Sequence, residues 1–366
     1  FCWVDLAAVA LLDELFPALG QTGLLYTAGG YAVTLPNVLI QFLLAGIILY
    51  IQYRGANMCA ALAKIATVVL LFMCLIGLIA AFAHFDPEIY ASDGGLDFDF
   101  TGSMSLLSLL VFSVAGWETV AKAAADAEGK AARKAGLALI VCLVLVTGLL
   151  CLVSTAVAGN MPWREAVETT APFADILVDI TGMPVVRVLL LLTAFVGAVG
   201  VMNSTLYSAA QMIYGLAGSD LVSRWFCRLH PKYGTPTRCI WASVALVLFA
   251  PFLGKLFFLP LINTASLATI IMWVTTLFAV LRLRRTHPKL RRPVSMPGGR
   301  VTAVLGIIAS LFLTLNLVLP FSPGGMGALD YLLAGVLAVV GLLLYHGRDR
   351  TITDDDRSRR MFGDLL

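Results

Sequence analysis

Charge is what this sequence has least of. Only 13% of its 366 residues are Asp, Glu, Lys or Arg, against about 25% in soluble domains. Such a chain is read as a polytopic membrane protein. Histidine is as sparse: His84, His230, His287 and His346 are scattered over loops and ends without metal-ligand spacing, so no metal site is expected. No phosphate-binding glycine loop is present, which argues against ATP-driven pumping by this chain. There is no nucleophile elbow, no carboxylate pair placed for hydrolysis, and no nucleophile with a base in reach. The expectation is a protein that is not an enzyme and uses no cofactor. The seven cysteines (Cys2, Cys59, Cys74, Cys142, Cys151, Cys227 and Cys239) are odd in number and lie in apolar spans or near basic loops. That speaks against a disulfide framework and for small apolar packing residues.

What is abundant is apolar residues, 60% of the chain, with a mean hydropathy of +0.91. A spanning helix needs about 20 mostly apolar residues. Ten stretches qualify: Phe1–Leu19, Tyr31–Gln52, Met58–Ala83, Met104–Ala125, Gly136–Gly159, Val185–Ala217, Arg238–Gly254, Leu259–Leu283, Val301–Pro320 and Leu329–Tyr345. The chain opens on Phe1, inside an apolar run and with no visible cleavable signal, so its start is expected to be missing.

Lys and Arg set the orientation. Of the 25, all but Arg164, Arg187 and Lys255 fall in loops 53–57, 126–135, 218–237, 284–300 and the tail after Tyr345, or on the adjoining ends of spans. Loop 84–103 carries Asp86, Glu88, Asp93, Asp97 and Asp99 and no Lys or Arg. Both ends of this chain are therefore expected in the cytoplasm, in a multi-pass protein of the cell membrane. Basic loops beside spans are read as topology signals, so no nucleic acid partner is expected; the lipid bilayer is. The amphipathic run after Met161–Pro162 reads either as an interfacial or re-entrant helix pair that caps an outer vestibule or as a surface helix.

The chain is organised around Leu106 to Asp126. An apolar helix signal runs to Phe112, gives way to Ser113, Val114, Ala115 and Gly116, and resumes after Trp117 and Glu118. A carboxylate in an apolar span is costly, so Glu118 reads as functional. Small residues beside it point to a helix broken at membrane depth, where carbonyls of one half and N–H groups of the next can hold a polar solute. The dipole of the second half favours the ionised carboxylate and burial the neutral one, a balance suited to a group that pairs with an ammonium or exchanges a proton. Phe112 and Trp117 offer aromatic faces that close over a cation, or pack against lipid and core.

Lys64 lies about eight residues inside the third span, roughly 12 Å along the axis at 1.5 Å per residue. It either snorkels to the interface or faces the bundle as a proton carrier. Asp5, Asp13 and Glu14 lie on the first span. Asp13 and Glu14 point about 100° apart and cannot both face one cavity. Asn203 to Ser208, and Asn263, Thr264 and Ser266, are polar clusters that either touch substrate or bond helix to helix.

Taken together, FSVAGWETVAKAAADAEGKAARKAG, LYSAAQMIYGLAGSDLVSRWFCRLHPKYGTPTRC, RLRRTHPKLRRPVSMPGG and AKIATVVLLF resemble the amino acid–polyamine–organocation transporter superfamily over essentially the whole chain. The resemblance implies an all-α, five-plus-five inverted-repeat fold in which these ten spans are the third to twelfth helices and the first two are absent. Residues 1–103 would hold the last three helices of the first repeat and an acidic outer loop, 104–283 the complete second repeat, and 284–366 a basic link, two helices and a tail. It implies transport of an amino acid, a polyamine or another amine by proton symport or exchange. Phe112 would occlude substrate, Ser113 to Gly116 would form the unwound segment and Glu118 would recognise the substrate; Trp117 and Asn203, read from their own positions, are added to the expected site. Lys64 and Glu118 would couple the proton. One departure from the family pattern follows the break, where Ala127-Glu128-Gly129-Lys130 replaces the usual proline-containing loop. The alternative is a membrane scaffold or partner subunit that does not transport.

Overall fold

The architecture was taken from a computed structural model, which describes all residues except 1, 17, 19–21, 29–30, 93–98, 117–129, 170, 253–254, 287–297 and 348–366. The described chain is mostly helical. In order it forms α1 (Cys2–Leu15), a hairpin of β1 (Leu24–Ala28) and β2 (Tyr31–Thr34), α2 (Leu35–Arg54), α3 (Ala56–Ala83), α4 (Pro87–Ser92), α5 (Phe100–Val114), α6 (Lys130–Ala158), α7 (Trp163–Glu168), α8 (Pro172–Thr181), α9 (Pro184–Gly218), α10 (Thr237–Val247), α11 (Phe258–Thr286), α12 (Arg300–Val318) and α13 (Ala328–His346).

Among the described residues, seven helices are long and apolar enough to cross a membrane: α2, α3, α6, α9, α11, α12 and α13. They carry exposed Leu, Ile, Val and Phe along much of their length, such as Ile65, Phe72 and Ile79 on α3, as a polytopic membrane protein requires. The other three expected spans are helical but short. α1 has 14 residues and α5 has 15, so each reaches about 21–23 Å at 1.5 Å per residue, less than the ~30 Å hydrocarbon thickness. α10 stops at Val247, four residues ahead of Pro251, whose ring disfavours helical geometry in the residue before it. The expected span from Tyr31 starts instead at Leu35: Tyr31–Thr34 is a strand, and Pro36 lies in the first turn of α2, where its missing N–H costs nothing. β1 and β2 pair antiparallel, Leu24 opposite Thr34 and Ala28 opposite Tyr31.

The chain divides into two compact units. The first comprises 1–99, 142–206 and 246–255. Its helices meet where side chains are smallest. A Cβ placed on Gly200 of α9 would lie 2.7 Å from the Ala66 Cβ of α3, and one on Gly77 of α3 would lie 2.8 Å from Leu177 and 2.9 Å from Phe173 of α8. Without a hydrophobic drive inside lipid, such close backbone approach is what helix association rests on. Leu78 and Ala81 of α3, Ala156 of α6 and Leu177 of α8 form a buried cluster around that contact. α7 and α8 are two short successive helices, and α8 is docked on α3 through its apolar face.

The second unit comprises 100–141, 207–245 and 256–366. α11 packs against α5, α12 and α13, with Val111, Ile270, Leu317 and Met326 buried together. The start of α5 is pinned by Asn316 of α12, whose Nδ2 donates to the Met104 carbonyl at 2.9 Å. At the other end of the unit's polar set, Asp330 in the first turn of α13 accepts from Asn263 Nδ2 at 3.0 Å and from the Gly327 N–H at 2.9 Å. Asn263 thus bonds helix to helix.

Candidate functional site

The site begins at the end of α5. The helix runs through Leu109, Leu110 and Val111, and stops at Val114. The Ala115 N–H turns back to the Phe112 carbonyl at 3.2 Å, one residue short of the α-helical partner. Gly116 then takes φ +112°, backbone that a residue with a Cβ rarely adopts. Phe112, Val114 and Ala115 are half-buried, and Ser113 and Gly116 are exposed. The Ser113 hydroxyl donates to the Leu109 carbonyl at 2.8 Å. Trp117 and Glu118, with the rest of 117–129, lie outside the described residues.

Asn203 sits in the first unit, 1% exposed, on α9. Its Nδ2 donates to the Cys59 carbonyl of α3 at 2.8 Å. The Gln52 Nε2 of α2 donates to the Asn203 Oδ1 at 2.9 Å and to its carbonyl at 2.7 Å. Between Gln52 and Cys59 lies Gly55, at φ +112°, where α2 ends and α3 begins. One asparagine therefore ties three helices across a glycine corner, and both polar atoms of its side chain are held by protein groups. Lys64, five residues beyond Cys59 on α3, is exposed. Phe112 to Gly116 are contiguous in the second unit, while Asn203 and Lys64 belong to the first.

The acidic pair of α1 diverges. Glu14 accepts from Arg187 Nη2 at 2.6 Å, and the Nε of the same arginine donates to Asp175 of α8 at 2.7 Å. Asp13 turns the other way and accepts from Asn37 Nδ2 of α2 at 3.0 Å. Asp5 is fully buried on α1. Sequence reasoning passed over Gln52, Asn37, Gln41 and the Arg187 bridge. The available signal was polarity at positions 37, 41 and 52 of an otherwise apolar span, with 37 and 41 one turn apart on one face.

The comparisons with known proteins agree in kind. The sequence pattern described as "Amino acid permease" matches residues 5–343. The chain is 23% identical to the aspartate-proton symporter of Bacillus subtilis (strain 168) over 297 residues, covering 78% of this chain and 56% of that protein. It is 25% identical to the branched-chain amino acid permease BcaP of the same bacterium, covering 83% of this chain and 62% of the relative. With cationic amino acid transporter 4 of Homo sapiens the identity is 27%, over 71% of this chain and 41% of the human protein. The chain thus spans roughly two fifths to three fifths of the length of these curated relatives.

Proposed function

Because this chain belongs to the amino acid permease family, we propose that it forms the membrane core of a secondary active transporter of amino acids or related amines, driven by proton symport or by exchange. The observation that carries this reading is the end of α5: inside an apolar run, the helix stops at Val114 and the backbone swings to φ +112° at Gly116. A helix terminus leaves its last carbonyls without intrahelical donors. At bilayer depth such groups must be satisfied by protein, water or a solute, which makes a terminus there a site for a polar guest.

In this reading Ser113 to Gly116 offer backbone groups to the substrate, and Phe112 and Trp117 flank it. Glu118 faces the ammonium and responds to pH. Lys64 exchanges the coupled proton. Asn203 enters chiefly as the residue that holds α2, α3 and α9 together; direct substrate contact by its side chain would require it to release Gln52 or Cys59. The seven long helices and the shorter α1, α5 and α10 are arranged as a five-plus-five inverted repeat in the cell membrane, with the chain's ends in the cytoplasm. The three relatives' names cover acidic, branched-chain and cationic side chains, so the reading commits to the shared α-amino acid moiety.

The test is uptake by the protein reconstituted in liposomes. Radiolabelled aspartate, leucine and arginine are supplied under an inward proton gradient, and separately to vesicles preloaded with unlabelled amino acid. Accumulation of at least one, abolished by a protonophore or dependent on preloading, supports transport. No accumulation above protein-free vesicles under either condition contradicts it and favours a scaffold role.

A further inference from the structure

Asp13, Asn37 and Gln41 meet at a cavity of about 30 Å³ in the first unit. Its other walls are apolar, among them Leu6 and Val9 of α1, Val33 of β2 and Pro251. We propose that this cavity is a binding site for a single monovalent, sodium-sized cation.

Asn37 and Gln41 are 9% and 4% exposed. The Asn37 Oδ1 and Gln41 Oε1 are buried and accept no hydrogen bond. The orientation of the Asn37 amide is fixed chemically: its Nδ2 faces the Asp13 carboxylate at 3.0 Å, and turning it over would set oxygen against oxygen. Its Oδ1 therefore has to look elsewhere. Buried polar oxygens are normally satisfied, and each exception calls for a guest. Here two lie one helical turn apart beside a carboxylate, facing space that exceeds the ~10–15 Å³ one small molecule requires.

The guest's charge follows from the donors. Pro251 has no N–H, the other walls named above are hydrocarbon side chains, and the Asn37 amide nitrogen is already engaged. The inward groups are hard oxygen acceptors, the kind that suits alkali and alkaline-earth ions. One carboxylate and two neutral amide oxygens balance a single positive charge. Among the described residues there is no group of three His, Cys, Asp or Glu side chains able to hold a metal ion, which sets aside transition metals and a carboxylate-rich divalent site. A water molecule could donate to the two amide oxygens but brings no charge to set against the Asp13 carboxylate.

The site stands apart from the transport reading; a chain that moves no amino acid would still bind the ion. The experiment is equilibrium binding of ²²Na⁺ to the full purified chain in detergent, with choline chloride keeping ionic strength constant. Saturable binding approaching one ion per chain is expected. Asp13→Asn and Gln41→Leu should each weaken it at least about tenfold, the scale of losing a metal-site partner. Glu14→Gln, outside the cavity, should bind like the unsubstituted chain. Gln41→Glu keeps an oxygen in place and adds charge, so it should bind more tightly, which guards against a Gln41→Leu loss that reflects misfolding. Absence of saturable binding, or equal binding by Asp13→Asn and Gln41→Glu, would overturn the proposal and leave the cavity to water, with the Gln41 amide turned to donate.

Discussion

Replacing Asn203 with alanine tests the helix corner most sharply. The substitution removes the Nδ2 bond to the Cys59 carbonyl, at 2.8 Å, and the Oδ1 acceptor of Gln52 Nε2, at 2.9 Å. The 2.7 Å bond from Gln52 to the carbonyl of residue 203 survives, because it uses backbone. Interhelical hydrogen bonds in membrane proteins contribute about 0.6 kcal/mol each on average and up to about 1.7. Two of them predict a loss of about 1–3 kcal/mol. Gln52→Leu removes the other side of the same network, so the double variant should lose less than the sum of the singles. The assay is unfolding by SDS titration in mixed micelles, read by circular dichroism, on the two single variants and the double. If Asn203→Ala unfolds within ~0.3 kcal/mol of the unsubstituted chain, or the singles add fully, the corner does not depend on this residue. Transport by Asn203→Ala separates its two roles. A purely structural asparagine leaves KM near its starting value in protein that stays folded, whereas substrate contact raises it.

Gly116→Ala should cost about 1 kcal/mol or more, since its φ of +112° suits glycine and strains alanine; the same unfolding titration measures it, and a stabilised variant would show the turn to be dispensable. Gly200→Ala places a methyl 2.7 Å from the Ala66 Cβ, a rigid contact, so α3 and α9 must separate at a cost of about 1–3 kcal/mol; a distance between spin labels on the two helices should lengthen. Arg187→Ala releases α8 from α1 and α9. Its ion pairs are about one quarter to one third exposed, so screening holds the stability loss to roughly 1 kcal/mol or less, while amide exchange over Pro172–Thr181 should quicken. Unchanged exchange there would mean the apolar contact with Gly77 suffices.

Apolar length was the legible part of this fold, because seven helices need only hydropathy to be found. Shorter elements escaped it. Tyr31–Thr34 is as apolar as a helix start, and only its β-branched and aromatic content marks a strand. Arg238–Gly254 has the length of a span, but Pro251 interrupts it. The end of α5 at Val114 was visible as small residues in an apolar run, since a local feature leaves a local signature. The Asn203 clamp was not: its partners Gln52 and Cys59 are 151 and 144 residues away in sequence, and hydropathy contains no pairing information. Asn37 and Gln41 were hidden for a similar reason, as two amides in a span look like ordinary interhelical contacts until a carboxylate is found opposite.

The central claim is that the backbone ahead of Trp117, together with Glu118, receives the amine-bearing substrate. The direct measurement compares amino acid uptake by the unsubstituted protein and Glu118→Gln in liposomes across external pH, with both confirmed as folded. The account predicts impaired uptake or a displaced pH profile in Glu118→Gln. Identical uptake at every pH would contradict it.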